Sequence, residues 1–272
     1  KQATYNVRLA KGQDYRVAFF AYNADSNGNS LYYDVTDMKS IKILPNQASN
    51  IEARDAFTNF INIAAADLTN KSNIEETVYL KRPFAQLNIG TSDLTASANA
   101  GYTVTQAKVT VPAYTNLDFA TGLATNKVSV EFAYANVPTS YEFPVAGYEY
   151  LAMNYILMNA TQETVDVKFQ YTDGTTPQAE RTVGSVPVQR NHRTNLYGQL
   201  LTASAKVNVE IKPGYDEPAH EADALQLAAA FGGEVTLTED VVLDQQLVIG
   251  EGVNMIINLN GKTISGGLNP ND

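Results

Sequence analysis

The sequence contains no cysteine, no tryptophan and only two histidines. Without cysteine there is no disulfide, no thiol nucleophile and no Cys-ligated metal. That absence fits an aerated exterior as well as a cytosol, so it assigns no compartment. Basic residues are scarce as well: 19 Lys and Arg stand against 29 Asp and Glu, a net charge of −10. A chain so acidic repels phosphate backbones, which sets nucleic acid aside as a partner. It holds no run of about 18 apolar residues, so no helix is expected to span a membrane. It opens at Lys1 without Met and without an apolar leader, and is expected to be a processed or trimmed piece.

Chemistry-bearing motifs are missing too. HExxH, CxxC, the GxSxG elbow and a glycine-rich phosphate loop do not occur. Gly250-Glu251-Gly252 lacks the following helix that a dinucleotide site requires. Asp25, Asn27 and Asn29 have the alternate-oxygen spacing of a calcium loop, but its sixth position is Ser30 and its twelfth Thr36, so a turn is preferred. No catalytic residue, cofactor or metal is therefore expected, and the chain is read as non-enzymatic.

What is present is a period-two apolar rhythm over 272 residues, enough for two ordinary domains. Tyr5, Val7 and Leu9 alternate with polar neighbours, and Tyr15 to Tyr22 (YRVAFFAY) reads as a central strand. Ile41 to Ile43 is a short strand stopped by Pro45, and Asn50 to Phe60 a short helix or irregular segment. A second unit starts near Ile74. Strands are expected at Thr77 to Ile89, Ala107 to Val111, Lys127 to Tyr134, Tyr148 to Met158, Thr164 to Tyr171, Val183 to Val188, Thr194 to Leu201 and Lys206 to Ile211. Asp173-Gly174 between two of them signals a hairpin. Many short strands at roughly 8–12 residue spacing indicate an all-β, sandwich-type protein.

After Pro213 the pattern changes. Lys212 to Pro218 (KPGYDEP) reads as a Pro/Gly linker, and Glu221 to Phe231 has helical spacing stopped by Gly232-Gly233. Short apolar runs parted by Asp, Gly and Asn follow, and resemble the first rungs of a parallel β-helix capped by that helix. About three rungs are needed for stability, so the native protein is expected to continue past Asp272.

Three segments in order resemble the fimbrillin-like surface proteins of Bacteroides and its relatives. They are the aromatic strand Tyr15–Tyr22 with the Asp55-Ala56-Phe57 segment, then Leu80 to Ile89 (LKRPFAQLNI), then Gln189 to Tyr197 (QRNHRTNLY). The resemblance spans roughly residues 5 to 212. It implies two tandem transthyretin-like β-sandwiches, here 1–73 (short, with early strands missing) and 74–213, with 214–272 as linker, helix and solenoid-like segment. It also implies export to the cell surface as an outer-membrane lipoprotein or fimbrial subunit, with the signal segment and lipid anchor outside this chain. Partners would be other fimbrial subunits or host and bacterial surface ligands, glycans among them. In polymerising members a donor strand from the next subunit fills a groove by strand addition. A C-terminal extension fits a tip, anchor or accessory subunit, or an adhesin, better than a stalk. The alternative is a sandwich spacer presenting a β-helical glycan-active or glycan-binding domain lying mostly beyond residue 272.

Individual residues give few site candidates. His192, between Arg190 and Arg193, could line an anion site, but the structural reading, in which the three satisfy backbone groups as a late strand begins, is preferred. Glu239, Asp240 and Asp244 lie on the solenoid-like segment and read as turn formers. Among 16 tyrosines, Tyr32, Tyr33, Tyr148 and Tyr150 are the candidates for ligand or partner contact, since tyrosine combines an apolar ring with a polar tip. The competing reading is that they simply alternate in and out along strands.

Overall fold

A computed structural model describes residues 3–37, 39–69, 71–119, 121–202, 207–213, 225, 233–237, 240–243, 247, 249 and 254–266. The protein is mostly β, with half of it in strands. The first strands are β1 (Tyr15–Tyr22), β2 (Tyr33–Asp34), β3 (Ser40–Ile43) and β4 (Ala56–Ile63), with a 3-10 turn at Glu52–Arg54 before β4. A short helix, α1 (Ala65–Thr69), follows. Then come β5 (Phe84–Thr91), α2 (Leu94–Asn99), β6 (Gln106–Asp118), β7 (Ala124–Asn136), β8 (Glu149–Leu157), β9 (Glu163–Thr172), β10 (Arg181–Val188), β11 (His192–Gly198) and β12 (Val207–Pro213).

Seven of these strands form one path in the order β10-β9-β6-β8-β5-β11-β12, and β7, β2 and β3 join it through β6. All neighbours on the path are antiparallel except β5 and β11, which run parallel in the register Gln86↔Arg193 to Thr91↔Gly198. The hairpin signal at Asp173-Gly174 is a tight turn: the Asp173 carboxylate accepts from the Thr175 and Thr176 amides at 2.8 and 2.7 Å, and Gly174 sits at φ +97°. The sheet rolls until β10 packs on β12. Where the ends approach, the Thr194 hydroxyl donates to the Pro187 carbonyl at 2.7 Å. Side chains at alternate positions fill the inside of the roll, among them Leu87, Ile89, Val109, Val111, Val167 and Leu196, each fully buried.

The opposite face of β5, β8 and β6 carries a second apolar cluster built around Phe84, Tyr155, Leu157 and Leu117. Residues from the first third of the chain complete it. Tyr33 stacks on Phe84 at 5.8 Å, and Phe20 meets Tyr33 and Phe119 edge-on at 5.4 and 5.9 Å. Strands on either side of residue 73 also share hydrogen bonds, since β3 pairs with β6 (Ile41↔Leu117).

Several expectations need correction. Tyr15 to Tyr22 is a strand but not a central one: among the described residues its one strand partner is β4, in a two-stranded sheet. Its aromatic content reflects ring packing by Phe20 rather than burial on both faces. The Tyr5, Val7 and Leu9 alternation is not a strand among the described residues; Tyr5 and Val7 are exposed, and no described strand pairs with residues 3–10. Thr77 to Pro83 is not strand either, apart from a bridge between Lys81 and Thr58, because Pro83 cannot continue a ladder. The helix or irregular segment at Asn50 to Phe60 is one 3-10 turn followed by the start of β4.

Beyond Pro213 two parallel pairs are described. Strand β13 (Gly233–Thr236) pairs with β15 (Met255–Asn258), and β14 (Val241–Leu243) with β16 (Ile264–Gly266). The expected helix at Glu221 to Phe231 lies outside the described residues except for Leu225, which is buried with Leu237 and Val241. No helix among the described residues is long and apolar enough to cross a membrane.

Candidate functional site

Three strands lay down the floor of an open groove of about 950 Å³. The registers Arg193↔Gln86 and Gln86↔Tyr155 put these three side chains in one row across β11, β5 and β8. The next row runs Asn195↔Asn88↔Met153, where the Asn88 amide donates to Asn195 at 2.8 Å and Asn195 to Glu210 at 2.8 Å. One wall is residues 50–55 with Arg82, and the other is the irregular segment 136–144 that follows β7.

Asn50 joins both walls to the floor. Its carboxamide oxygen accepts from the Met153 amide at 2.6 Å, its own amide donates to the Met153 carbonyl at 2.8 Å, and its side-chain nitrogen donates to the Asn136 carbonyl at 2.9 Å. Doing so requires φ +62°, which asparagine tolerates better than most residues. The far wall is pinned by Phe143. Its ring lies over Gly90, where an added Cβ would be 2.5 Å from Cε2, and meets Tyr150 edge-on at 5.0 Å. Tyr197 and Tyr148 close the cluster, 4.8 Å from each other.

The charges in the groove are held in place. Arg82 makes a two-pronged pair with Asp55, Nε to Oδ1 and Nη2 to Oδ2, both at 2.8 Å, and lies over the Phe57 ring. Burial pushes the Tyr155 phenol well above its ordinary pKa and raises that of Tyr150. A hydrogen bond with Glu52 raises the Tyr141 phenol, so a residue of each wall meets the other. The described lining includes no histidine, cysteine or lysine. The groove offers aromatic rings, two guanidinium groups and fixed amides and carboxylates, a set suited to a polyhydroxylated ligand.

Of the four candidate tyrosines, only Tyr150 lines this groove, and it is buried. Tyr148 is half-buried against Tyr197. Tyr33 is a core residue whose hydroxyl donates to the Arg54 carbonyl, and Tyr32 packs beside it at 6.4 Å. Sequence reasoning missed Tyr155, Tyr141, Glu52 and Arg82; the readable signal was that Arg82 and Arg193 each belong to a segment with family resemblance. The basic segment divides in two. Half-buried Arg190 donates to the Met158 and Gly122 carbonyls at 2.9 and 2.8 Å, and His192 opens β11 with Nδ1 donating to the Arg190 carbonyl at 2.8 Å, whereas Arg193 lines the groove. The Asp25 carboxylate accepts from the Asn27 and Asn29 amides, both at 2.8 Å, as a turn does. Asp240 accepts from the Thr263 amide and hydroxyl; Glu239, Asp244, His220 and 250–252 lie outside the described residues.

A model of the DUF6562 family, described as a family of unknown function, matches residues 1–244. The chain belongs to the DUF6562 family. No curated protein matches it in sequence. Among solved structures it is similar to a candidate cell adhesion protein from Bacteroides ovatus, with 16% identity over 80% of this chain and 74% of that one and a TM-score of 0.42. It is also similar to a candidate polysaccharide binding protein from Bacteroides thetaiotaomicron (12% identity, 78% and 79% covered, TM-score 0.41). A third is a fimbrial anchor protein from Porphyromonas gingivalis (10% identity, 76% and 77% covered, TM-score 0.38).

Proposed function

We propose that this DUF6562 protein is a non-enzymatic adhesin or fimbrial component of the cell surface, acting as a tip, anchor or accessory subunit, with the groove as its ligand site. The observation that carries the reading is where the resembling segments meet. Leu80 to Ile89 and Gln189 to Tyr197 contribute the parallel neighbours β5 and β11, toward the β12 end of the sheet, and from these segments Arg82, Gln86 and Arg193 line the groove. The part of the chain that resembles fimbrillin-like proteins is thus the part that builds the binding surface. In this reading residues 1–73 and 74–213 are the two sandwich units, joined through β3 and β6, and a lipid anchor outside this chain ties the protein to the outer membrane. The ligand is a glycan: stacked rings and a polar floor fit sugar hydroxyls and pyranose faces.

Two experiments test the proposal. Material sheared from the native cells is immunoblotted with and without boiling. A ladder that collapses on boiling identifies a fimbrial subunit, and one band that stays with the membrane an anchored monomer. Protein found solely in the cytosol overturns the reading. On a glycan array, Tyr141→Ala is expected to weaken whatever the native protein binds by about tenfold, as loss of one exposed stacking ring worth about 1.4 kcal/mol would.

A second reading has its own support. Parallel pairs at offsets of 22 residues (Gly233↔Met255) and 23 residues (Val241↔Ile264) support it, since successive solenoid rungs would pair at such a repeat. The sandwich units would then be a spacer presenting a β-helical glycan-active or glycan-binding domain. Reading the gene past residue 272 decides it: about ten further rungs with acidic residues stacked on one face favour this reading, and a stop codon sinks it.

A further inference from the structure

Arg54 is an ionic anomaly. It is 2% exposed, yet no carboxylate pairs with it among the described residues, and its Nε donates to nothing. Its Nη2 reaches the Tyr155 carbonyl at a long 3.4 Å, and its guanidinium rests 4.8 Å from the centre of the Phe132 ring. Burial pulls its pKa down, against the phenols of Tyr33, Tyr32 and Tyr155, which favour the charge; no carboxylate is among these neighbours. Buried cations are ordinarily paired, because an ion out of water without a counter-charge is strongly unfavourable. The next residue, Asp55, is committed to Arg82 on the groove side.

The same arginine lines a second cavity, of about 310 Å³, which shares Tyr155 with the groove. Apolar side chains make most of its wall, including Ile43, Phe84, Val130, Phe132 and Leu157. Its one acid, Glu131, is paired with Lys108 at 2.9 Å, and its side chain is 62% exposed. Val128, 42% exposed, stands at the rim. A cavity of about 150 Å³ admits the six carbons of benzene, so this one takes about a dozen non-hydrogen atoms.

We infer that this cavity is a binding site for a small carboxylate with an apolar body of about ten carbons, its head on the Arg54 guanidinium and its tail along Phe84, Phe132 and Leu157. The planar guanidinium matches a carboxylate two-pronged, and the anion supplies the missing counter-charge. The apolar walls favour a hydrocarbon over a sugar or a bare inorganic anion. This site is separate from the groove and does not depend on the adhesin reading.

The test is calorimetric titration of the full chain at pH 7 with decanoate, which has twelve non-hydrogen atoms, and with its neutral counterpart 1-decanol. One molar equivalent of decanoate is expected to bind, at least tenfold more tightly than decanol. Arg54→Met is expected to abolish that preference while leaving decanol binding in place. Val128→Trp, at an exposed rim position that the core does not depend on, is expected to weaken both at least tenfold, and it carries the test if Arg54→Met fails to fold. Equal affinity for decanoate and decanol, no binding of either, retention of the preference in Arg54→Met, or unchanged binding in Val128→Trp would each overturn the inference.

Discussion

Gly90 is a place where adding one methyl group should remodel the candidate site. Its φ is not in the left-handed region, so alanine is compatible with the backbone. Elsewhere such a change stabilises by about 0.4–1 kcal/mol, through the unfolded chain. Here the new Cβ would lie 2.5, 2.6 and 2.8 Å from three atoms of the Phe143 ring. The ring has little room to tip: it is 6% exposed and bounded by Tyr150 at 5.0 Å and by Tyr148 and Tyr197, both at 6.3 Å. Overpacking of this kind costs about 1–3 kcal/mol, and displacing the ring also forfeits about 0.5–1.5 kcal/mol from its contact with Tyr150. Gly90→Ala is therefore expected to destabilise the protein by about 2 kcal/mol net.

The decisive measurement is a double-mutant cycle in urea, followed by tyrosine fluorescence. With Phe143→Ala in place the obstruction is gone, and Gly90→Ala should be neutral or stabilising by up to about 1 kcal/mol. The coupling between the two positions should then be about 2–3 kcal/mol, at the upper end for residues in contact. Hydrogen exchange should also quicken across 137–148 in Gly90→Ala, because Phe143 pins that wall of the groove. A Gly90→Ala cost that is the same in both backgrounds, or no cost in the native one, would refute the reasoning.

Two further outcomes follow from the site's supports. Asn50→Ala removes the side-chain bonds to Met153 and Asn136 and puts alanine at φ +62°; a loss of about 2–3 kcal/mol is expected, and Asn50→Gly should recover about 1 kcal/mol of it by relieving the backbone, as urea midpoints will report. His192 is held neutral by burial, which depresses its pKa below the ordinary 6.5 despite the Arg190 carbonyl. The unfolded chain then binds the extra proton first, so stability contributed by this group is present above about pH 6.5 and is lost as pH falls toward the folded pKa. His192→Gln should flatten the stability profile between about pH 7 and 5, measured by urea midpoints at stepped pH.

Much of the strand layout could be read from the sequence, and the reason is local. Leu87 and Ile89, or Val165, Val167 and Phe169, alternate with polar neighbours because one face of each strand fills the roll, and the Asp173-Gly174 turn carries its own chemistry. The groove could not be read that way. Its floor depends on β5 lying parallel beside β11, a pairing between segments about a hundred residues apart that no local pattern encodes. Period two says that neighbours point to opposite faces, but not which face holds core and which holds solvent. Tyr33 and Tyr150 were equal candidates for that reason, yet one fills the core against Phe84 and the other faces the groove. The aromatic run of β1 misled in the same way, since rings packing on another element look in sequence like burial on both faces of a sheet.

Both cavities trace back to a single turn. Arg54 and Asp55 are consecutive at the end of the 3-10 turn; Asp55 lines the groove, Arg54 the cavity, and Tyr155 both. The acid meets Arg82 in the groove, and the arginine lines the apolar cavity without a carboxylate partner among the described residues. Had the chain needed only a neutral pair, Arg54 and Asp55 could have satisfied each other across one peptide, or an apolar residue at position 54 could have packed on Phe132 without any desolvation cost. Spending a buried cation on the apolar side is reasonable only if something there uses it. That argument ties the two spaces to one short stretch of sequence, residues 50–55, with Asn50 fixing the groove walls at its start and Arg54 charging the cavity near its end.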